Sequence, residues 1–317
     1  MSLQVNSEAS NAPASSVTRA PAPHAQRGRR KTLLILSQTF VPDPASVGQH
    51  VADVAIELAR RGNNVRVYAS DRGYENPKVR YARRENLHGV DVRRLAFTSF
   101  GKKSIFTRVI GTWTFHVRAL LIALFTPRLG GIVFSTSPPM VGLAAAVVRI
   151  IRRVPTAYWA MDLNPDQLWA LNKIEKTSVT SRILEAGNRF ILRNSDVIIA
   201  LDRFMADRLK SRPGLSGRLV IIPPWPHETH VEALPHDQNP FRAEHGLTGK
   251  FVIMYSGNHS PSNPLQTVLD AALQLRDDPT IRFMFIGGGT GKKAVEQFVK
   301  ANDLGNCLCL PYQPLET

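Results

Sequence analysis

The chain has 317 residues, of which 43% are hydrophobic, 8% aromatic and 21% charged, and it carries 40 Lys and Arg against 25 Asp and Glu for a net charge of +15. This is the composition of a globular chain long enough for two domains, which excludes disorder throughout. The two cysteines, Cys307 and Cys309, lie one residue apart on a short apolar run and offer no disulfide framework. The positive balance points to an anionic partner, whether nucleic acid, acidic lipid headgroups or phosphorylated substrates.

Residues 1–31 are rich in Ser, Ala and Pro and end in Arg27-Gly28-Arg29-Arg30-Lys31, with no apolar core for a secretory signal, so they read as a disordered basic tail. Strands are then expected at Thr32 to Ser37, Val65 to Ala69, Val90 to Leu95, Gly131 to Ser135, Thr156 to Met161, Asp196 to Leu201 and Arg218 to Ile222. A helix from Gly48 to Arg61 and others between most of the strands make this a mostly parallel α/β sheet covered on both faces. Pro223-Pro224-Trp225-Pro226 and the polar residues to Gly249 read as a linker. A second α/β unit starts at Lys250, with strands to Tyr255, at Ile281 to Ile286 and at Cys307 to Leu310, and helices from Leu265 to Arg276 and Lys292 to Asn302.

No apolar stretch approaches the roughly 20 residues that cross a bilayer. Between Asp91 and Asp162 there is no acidic residue, but there are ten basic ones: Arg93, Arg94, Lys102, Lys103, Arg108, Arg118, Arg128, Arg149, Arg152 and Arg153. The same region holds the helix-length, strongly apolar segment Ser104 to Phe125, which fits either an interfacial helix or an ordinary helix packed on a sheet. No zinc-ligand spacing or RNA-binding strand signature accompanies the charge, so nucleic acid explains it less well than an anionic membrane surface.

In open parallel sheets ligands bind beyond the carboxyl ends of the strands, which selects four loops. The first holds Gly48 and His50, where a glycine permits close approach and helix amides could meet a phosphate. The second is Gly257-Asn258-His259, and the third is Gly287-Gly288-Gly289-Thr290-Gly291-Lys292-Lys293. The third fails as a P-loop because Lys293 stands where Ser or Thr should be, and its weak dinucleotide pattern lacks the later acidic residue. The fourth is Asp162-Leu163-Asn164-Pro165, in which Asn164 and Pro165 form an expected N-cap and first helical residue, leaving Asp162 to face a cleft as a carboxylate able to accept a proton or to turn the chain locally. His227, His230 and His236 with Glu228 and Asp237 lack the helical form of a metal site, and no Asp-x-Asp or G-x-S-x-G occurs.

The Gly48 loop and helix, Ser135-Thr136-Ser137-Pro138-Pro139, Asp162-Leu163-Asn164-Pro165-Asp166, Ile222-Pro223-Pro224-Trp225 and Tyr255-Ser256-Gly257-Asn258 together resemble a family 4 glycosyltransferase of the GT-B fold, in the bacterial branch that builds O-antigen, colanic acid and other polysaccharides. The resemblance implies a complete N-terminal Rossmann-like domain at 32–222 that binds the acceptor, a hinge at 223–249, and a partial nucleotide-sugar-binding domain at 250–317. It implies retaining transfer from a nucleotide-diphosphate sugar to a lipid-linked glycan, with no cofactor and no metal, in the cytoplasm at the inner face of the cell membrane. Asp162 is then the catalytic candidate, Gly48 and His50 form the acceptor and phosphate loop, and Gly257, Asn258, His259, Gly287, Gly288, Lys292, Tyr312 and Gln313 face the donor. Many family members place Arg and Lys where this chain has His259-Ser260-Pro261-Ser262-Asn263, and their second domain continues beyond the point matching Thr317. On that ground the expectation is impaired transfer, a bare edge at Cys307 to Leu310, and uncovered helix faces around Leu269 and Val295. A non-catalytic membrane- or partner-binding remnant and a basic nucleic-acid binder are the alternatives.

Overall fold

The computed structural model describes residues 31–73, 77–98, 105–212, 214, 215, 217–226 and 234–313. The expected basic tail, His227, Glu228, His230, Lys102 and Lys103 lie outside them. Two compact units emerge. One runs to Ala160 and includes Ile191–Ala200 and Arg212–Val220; the other comprises Met161–Phe190, Leu201–Ser211 and the chain from Ile221.

The first sheet contains β1 (Thr32–Leu36), β2 (Asn64–Ser70), β3 (Arg84–Leu87), β4 (Val90–Leu95), β5 (Leu129–Phe134), β6 (Thr156–Ala160), β7 (Val197–Ala200) and β8 (Leu219–Ile221), in the order β3-β4-β2-β1-β5-β6-β7-β8. Pairing is parallel from β4 through β7, and β3 runs antiparallel to β4. The chain works outward from β1 in one direction and then restarts at β5 in the other. That reversal puts a topological switch point between β1 and β5, the place beyond the strand ends where open α/β sheets bind ligands. Leu34, Ile35 and Leu36 are almost wholly buried because a central parallel strand is covered on both faces. The helices are α1 (Ser46–Arg60), α2 (Ile105–Phe125), α3 (Gly142–Arg152), α4 (Asp166–Ala170), α5 (Val179–Arg193) and α6 (Arg203–Lys210).

Charged groups tie this sheet to its helices. Arg149 on α3 grips Asp196 through two bonds, at 3.0 and 2.6 Å, and the Thr156 amide donates to the same carboxylate at 2.9 Å. The Arg149 bonds, helped by that amide against the opposing effect of burial, hold Asp196 down at about 2. Since the folded pKa is depressed, the stabilisation is complete above the ordinary carboxylate range and disappears as pH falls through about 2. Asp196→Asn is therefore expected to lose about 1 kcal/mol at neutral pH, a modest figure because both side chains are about a third exposed. Denaturant midpoints should converge for the two proteins at the acid end, and a constant difference across pH would refute the assignment.

Pairing also revises the regional charge. Arg93 meets Asp91, buried Arg94 meets Glu85, and Arg149 meets Asp196, so three of the ten arginines and lysines are paired with acids from outside the segment. Arg152 instead donates to the carbonyls of Ala123, Leu124 and Thr126, closing the C-terminal end of α2. Among the described residues no helix is long and apolar enough to cross a membrane.

The second sheet is β9 (Phe251–Asn258), β10 (Ile281–Gly288) and β11 (Cys307–Leu310), parallel, in the order β11-β10-β9, with α8 (Gln266–Gln274) and α9 (Lys292–Ala301) on the intervening connections. Three expectations need correction, and a fourth holds. Asn164 and Pro165 are not an N-cap and first helical residue: the bond between them is cis, Pro165 itself occupies the cap position and α4 begins at Asp166. The expected hinge is not uniform, since a 3-10 turn at His236–Gln238 and α7 (Pro240–Glu244) fold there, and Leu247 is buried with Met284 and Ile286 under one face of this sheet. Leu269 and Val295 are buried in a core with Phe283 and Phe285, so no apolar helix face is uncovered around them. Cys307–Leu310 forms an edge as expected; β9 forms the other edge and exposes Phe251 and Met254. Burial pushes the Cys307 thiol up to about 11 and that of Cys309 upward, as befits packing residues rather than nucleophiles.

Candidate functional site

In the first sheet the loops leaving β1 and β5 are stitched together at the switch point. The Gln38 amide donates to Ser137 O at 2.6 Å, and the Ser37 and Ser135 hydroxyls lie 3.4 Å apart. Thr39 and Ser137 hydroxyls lie 3.3 Å apart, and the Ser37 hydroxyl donates to Thr39 O. Gln38 also donates through Nε2 to Thr98 O at 2.5 Å, drawing in the chain after β4. A buried rim of hydroxyls and amides thus forms the end of β1 and β5. The sequence pattern marks Ser135 to Pro139 but takes Ser37 as the last residue of a strand and leaves out Gln38 and Thr39, although three polar residues directly after apolar Leu33–Leu36 were a visible signal. Buried Asp71 follows β2, and its Oδ1 has no hydrogen-bond partner among the described residues.

Gly48 sits in the first turn of α1. A Cβ there would lie 2.9 Å from Phe40 N and 3.1 Å from Thr39 C, so the missing side chain lets the helix press on the β1 loop. Its amide is used by Ala45 O at 2.8 Å. His50 is buried, with Nδ1 2.9 Å from Ser46 O. Asp162 lies two residues beyond β6, half-buried, in the turn before α4.

In the second sheet the glycines bring two loops into contact. Gly257 and Gly287 face each other in register, and a Cβ on Gly287 would lie 2.0 Å from Gly257 O. One on Gly289 would lie 2.2 Å from Asn258 Oδ1 and 2.5 Å from His259 O. The His259 amide donates to Gly288 O at 2.7 Å, and the Gly291 amide donates to His259 O at 2.9 Å. His259 is buried edge-on against Tyr255, with Nδ1 3.2 Å from Gly257 O and Nε2 without a hydrogen-bond partner among the described residues. Lys292 Nζ donates to Phe285 O at 2.7 Å and to Leu310 O at 2.8 Å. Exposed Tyr312 packs over Gly288, and Gln313 donates to Pro311 O. Glycines at the two strand ends, with an imidazole, an ammonium and an aromatic ring beside them, are chemistry suited to a phosphorylated, ring-bearing ligand. His236 and Asp237 lie in the 3-10 turn, and among the described residues no three His, Cys, Asp or Glu side chains gather as a metal site.

Residues 46–225, more than half of the chain, match the family described as the glycosyl transferase 4-like domain. The chain belongs to that family. It is 23% identical over 305 residues to WcaI of Escherichia coli (strain K12), named a colanic acid biosynthesis glycosyl transferase, covering 89% of this chain and 72% of that protein. Anabaena HepE, solved with UDP and glucose, superposes with a TM-score of 0.59 at 15% identity over 90% of this chain and 70% of HepE. WaaG, a glycosyltransferase involved in lipopolysaccharide biosynthesis, superposes with a TM-score of 0.61 at 14% identity over 89% of this chain and 70% of WaaG. The architecture of this glycosyltransferase is therefore of the GT-B type, built on Rossmann-like parallel sheets.

Proposed function

We propose that this glycosyltransferase moves a sugar from a nucleoside diphosphate to a lipid-linked glycan, with retention of anomeric configuration and without a metal, during assembly of a cell-surface polysaccharide at the inner face of the cell membrane. The observation that carries the proposal is the paired glycine end of β9 and β10, where Gly257 meets Gly287 in register and the Tyr312 ring lies over Gly288. The HepE structures support a uridine nucleotide on this fold, and WcaI supports the polysaccharide setting.

Charge builds on the diphosphate oxygens as the glycosidic bond breaks, so donors aimed at those oxygens lower the barrier. In this reading Gly257, Asn258 and His259 with Gly287 and Gly288 form the diphosphate floor, and Tyr312 and Gln313 lie along the nucleobase. Lys292 supplies positive charge while remaining bonded to the strand ends. Asp162 orients or deprotonates the acceptor hydroxyl, and the loop carrying Gly48 and His50 shapes the acceptor side.

Titration calorimetry of the whole chain with UDP, GDP and their sugars tests the donor half. One nucleoside diphosphate is expected to bind with a Kd well below about 1 mM, the weakest affinity worth assigning to a substrate site, and to do so equally in the presence of a chelator. Absence of binding by every nucleotide would remove the donor site.

A further inference from the structure

The chain leaving β4 is pinned at several points around one residue whose ring stands in solvent. Ala96 O accepts from Arg118 Nη1 of α2 at 2.7 Å, and Thr98 O accepts from Gln38 Nε2 at 2.5 Å. The Thr98 hydroxyl, in a fully buried residue, donates to Leu95 O at 2.8 Å. Between those bonds stands Phe97, with φ of +60° and 61% exposure. A bulky residue in the left-handed region is strained, and here burial of the ring does not offset the strain.

Asp71 lies against the same loop. Its amide donates to Leu95 O at 3.2 Å, and the preceding Ser70 amide donates to Gln38 O at 2.9 Å, so Asp71 is wedged between the exits of β1 and β4. It is only 5% exposed, and Oδ1 has no hydrogen-bond partner among the described residues. A buried carboxyl oxygen that lacks a donor lowers stability, a cost that a ligand hydroxyl removes by supplying the donor.

We infer that Asp71 and Phe97 form a sugar subsite at the ends of β2 and β4, in which a neutral saccharide stacks one face on Phe97 and donates a hydroxyl to Asp71 Oδ1. The chemistry selects this ligand class. A carboxylate disfavours phosphate and every other anion, and a phenyl ring offers no polar atom. A pyranose answers both, with an apolar face of C–H groups and hydroxyl donors around its rim. Ser37, Gln38 and Thr39 on the neighbouring β1 exit continue the surface with neutral polar groups.

This inference rests on the glycan-acceptor reading above and deepens it. The carboxyl ends of β2 and β6 are three strand spacings apart, about 14 Å. Asp71 and Phe97 therefore select the acceptor and take no part in the chemistry proposed at the end of β6.

Saturation-transfer NMR of the whole chain with the methyl glycosides of glucose, galactose, mannose and N-acetylglucosamine tests it. Irradiation of the aromatic protons should pass signal to the ring C–H groups of at least one glycoside, with a Kd of about 10 mM or below. Phe97→Leu keeps an apolar side chain without a ring face and should weaken that binding by about tenfold or more, whereas Phe97→Tyr should retain it. Asp71→Asn should weaken it by about fivefold or more, since an amide oxygen accepts less strongly than a carboxylate. The same variant should unfold at no lower denaturant concentration than the wild type, because the buried oxygen serves the ligand and not the fold. Transfer to no glycoside, transfer unchanged in Phe97→Leu, or a lower unfolding midpoint in Asp71→Asn overturns the inference. So does displacement of the glycoside by tetramethylammonium, because ring and carboxylate then form a cation site. Glycoside binding that neither variant weakens would leave the acceptor reading standing without this subsite, and nucleotide calorimetry reports the donor half separately.

Discussion

Gly287→Ala is expected to destabilise the second sheet by about 3 kcal/mol or more and to remove nucleotide binding with it. The residue has φ of +126°, where an L side chain is strained, and its new Cβ would lie 2.0 Å from Gly257 O and 2.9 Å from Gly257 C. Both obstacles are backbone, so no rotamer change can relieve the clash; β9 and β10 would have to separate. Gly288→Ala is the informative control. Its Cβ would approach Tyr312 Cε2 at 2.9 Å, but that ring is exposed and can turn aside, so the cost should stay near about 1 kcal/mol. Denaturant unfolding followed by circular dichroism measures both. Wild-type stability in Gly287→Ala would mean that the two strand ends are not held this close.

Asp162→Asn is expected to lower kcat by about a hundredfold or more while leaving donor binding intact. Asparagine keeps the size and most hydrogen bonds of the side chain but can neither accept a proton nor offset developing positive charge. Because the diphosphate floor proposed above is built from Gly257, Asn258, His259, Gly287 and Gly288 and does not include Asp162, nucleotide affinity should be unaffected. Turnover with a lipid-linked acceptor and calorimetry with the nucleotide separate the two effects. Undiminished kcat would return Asp162 to the role of turn former.

The central strand Thr32–Leu36 was legible because a parallel strand buried on both faces is a nearly continuous apolar run, whereas Val90–Leu95 showed itself by Val90 and Val92 alternating with Asp91 and Arg93. The edge strand Arg84–Leu87 was not, since its sequence Arg-Glu-Asn-Leu is mostly polar and only its antiparallel partner defines it. The helix Pro240–Glu244 and the burial of Leu247 were hidden in a polar stretch whose few apolar residues pack against β10. The family came from several short motifs together, and the match over 46–225 agrees. Within the candidate site the glycines were visible, but their reason was not: Gly287 answers to Gly257, 30 positions earlier, and no local pattern carries that contact. The charge count was likewise local, and Glu85, Asp91 and Asp196 enter it only once the chain is folded.

In the donor reading proposed above, Lys292 is a cation that serves a site it does not reach into. Parallel strands finish with carbonyl oxygens directed outward, and such a fringe repels an approaching diphosphate. The ammonium resting between Phe285 O and Leu310 O cancels that repulsion at the ends of β10 and β11. It also latches the two strands where their ladder runs out. A phosphate that drew the lysine to itself would have to unfasten the strand ends to do so, which sets electrostatic help and mechanical order in competition at one nitrogen atom.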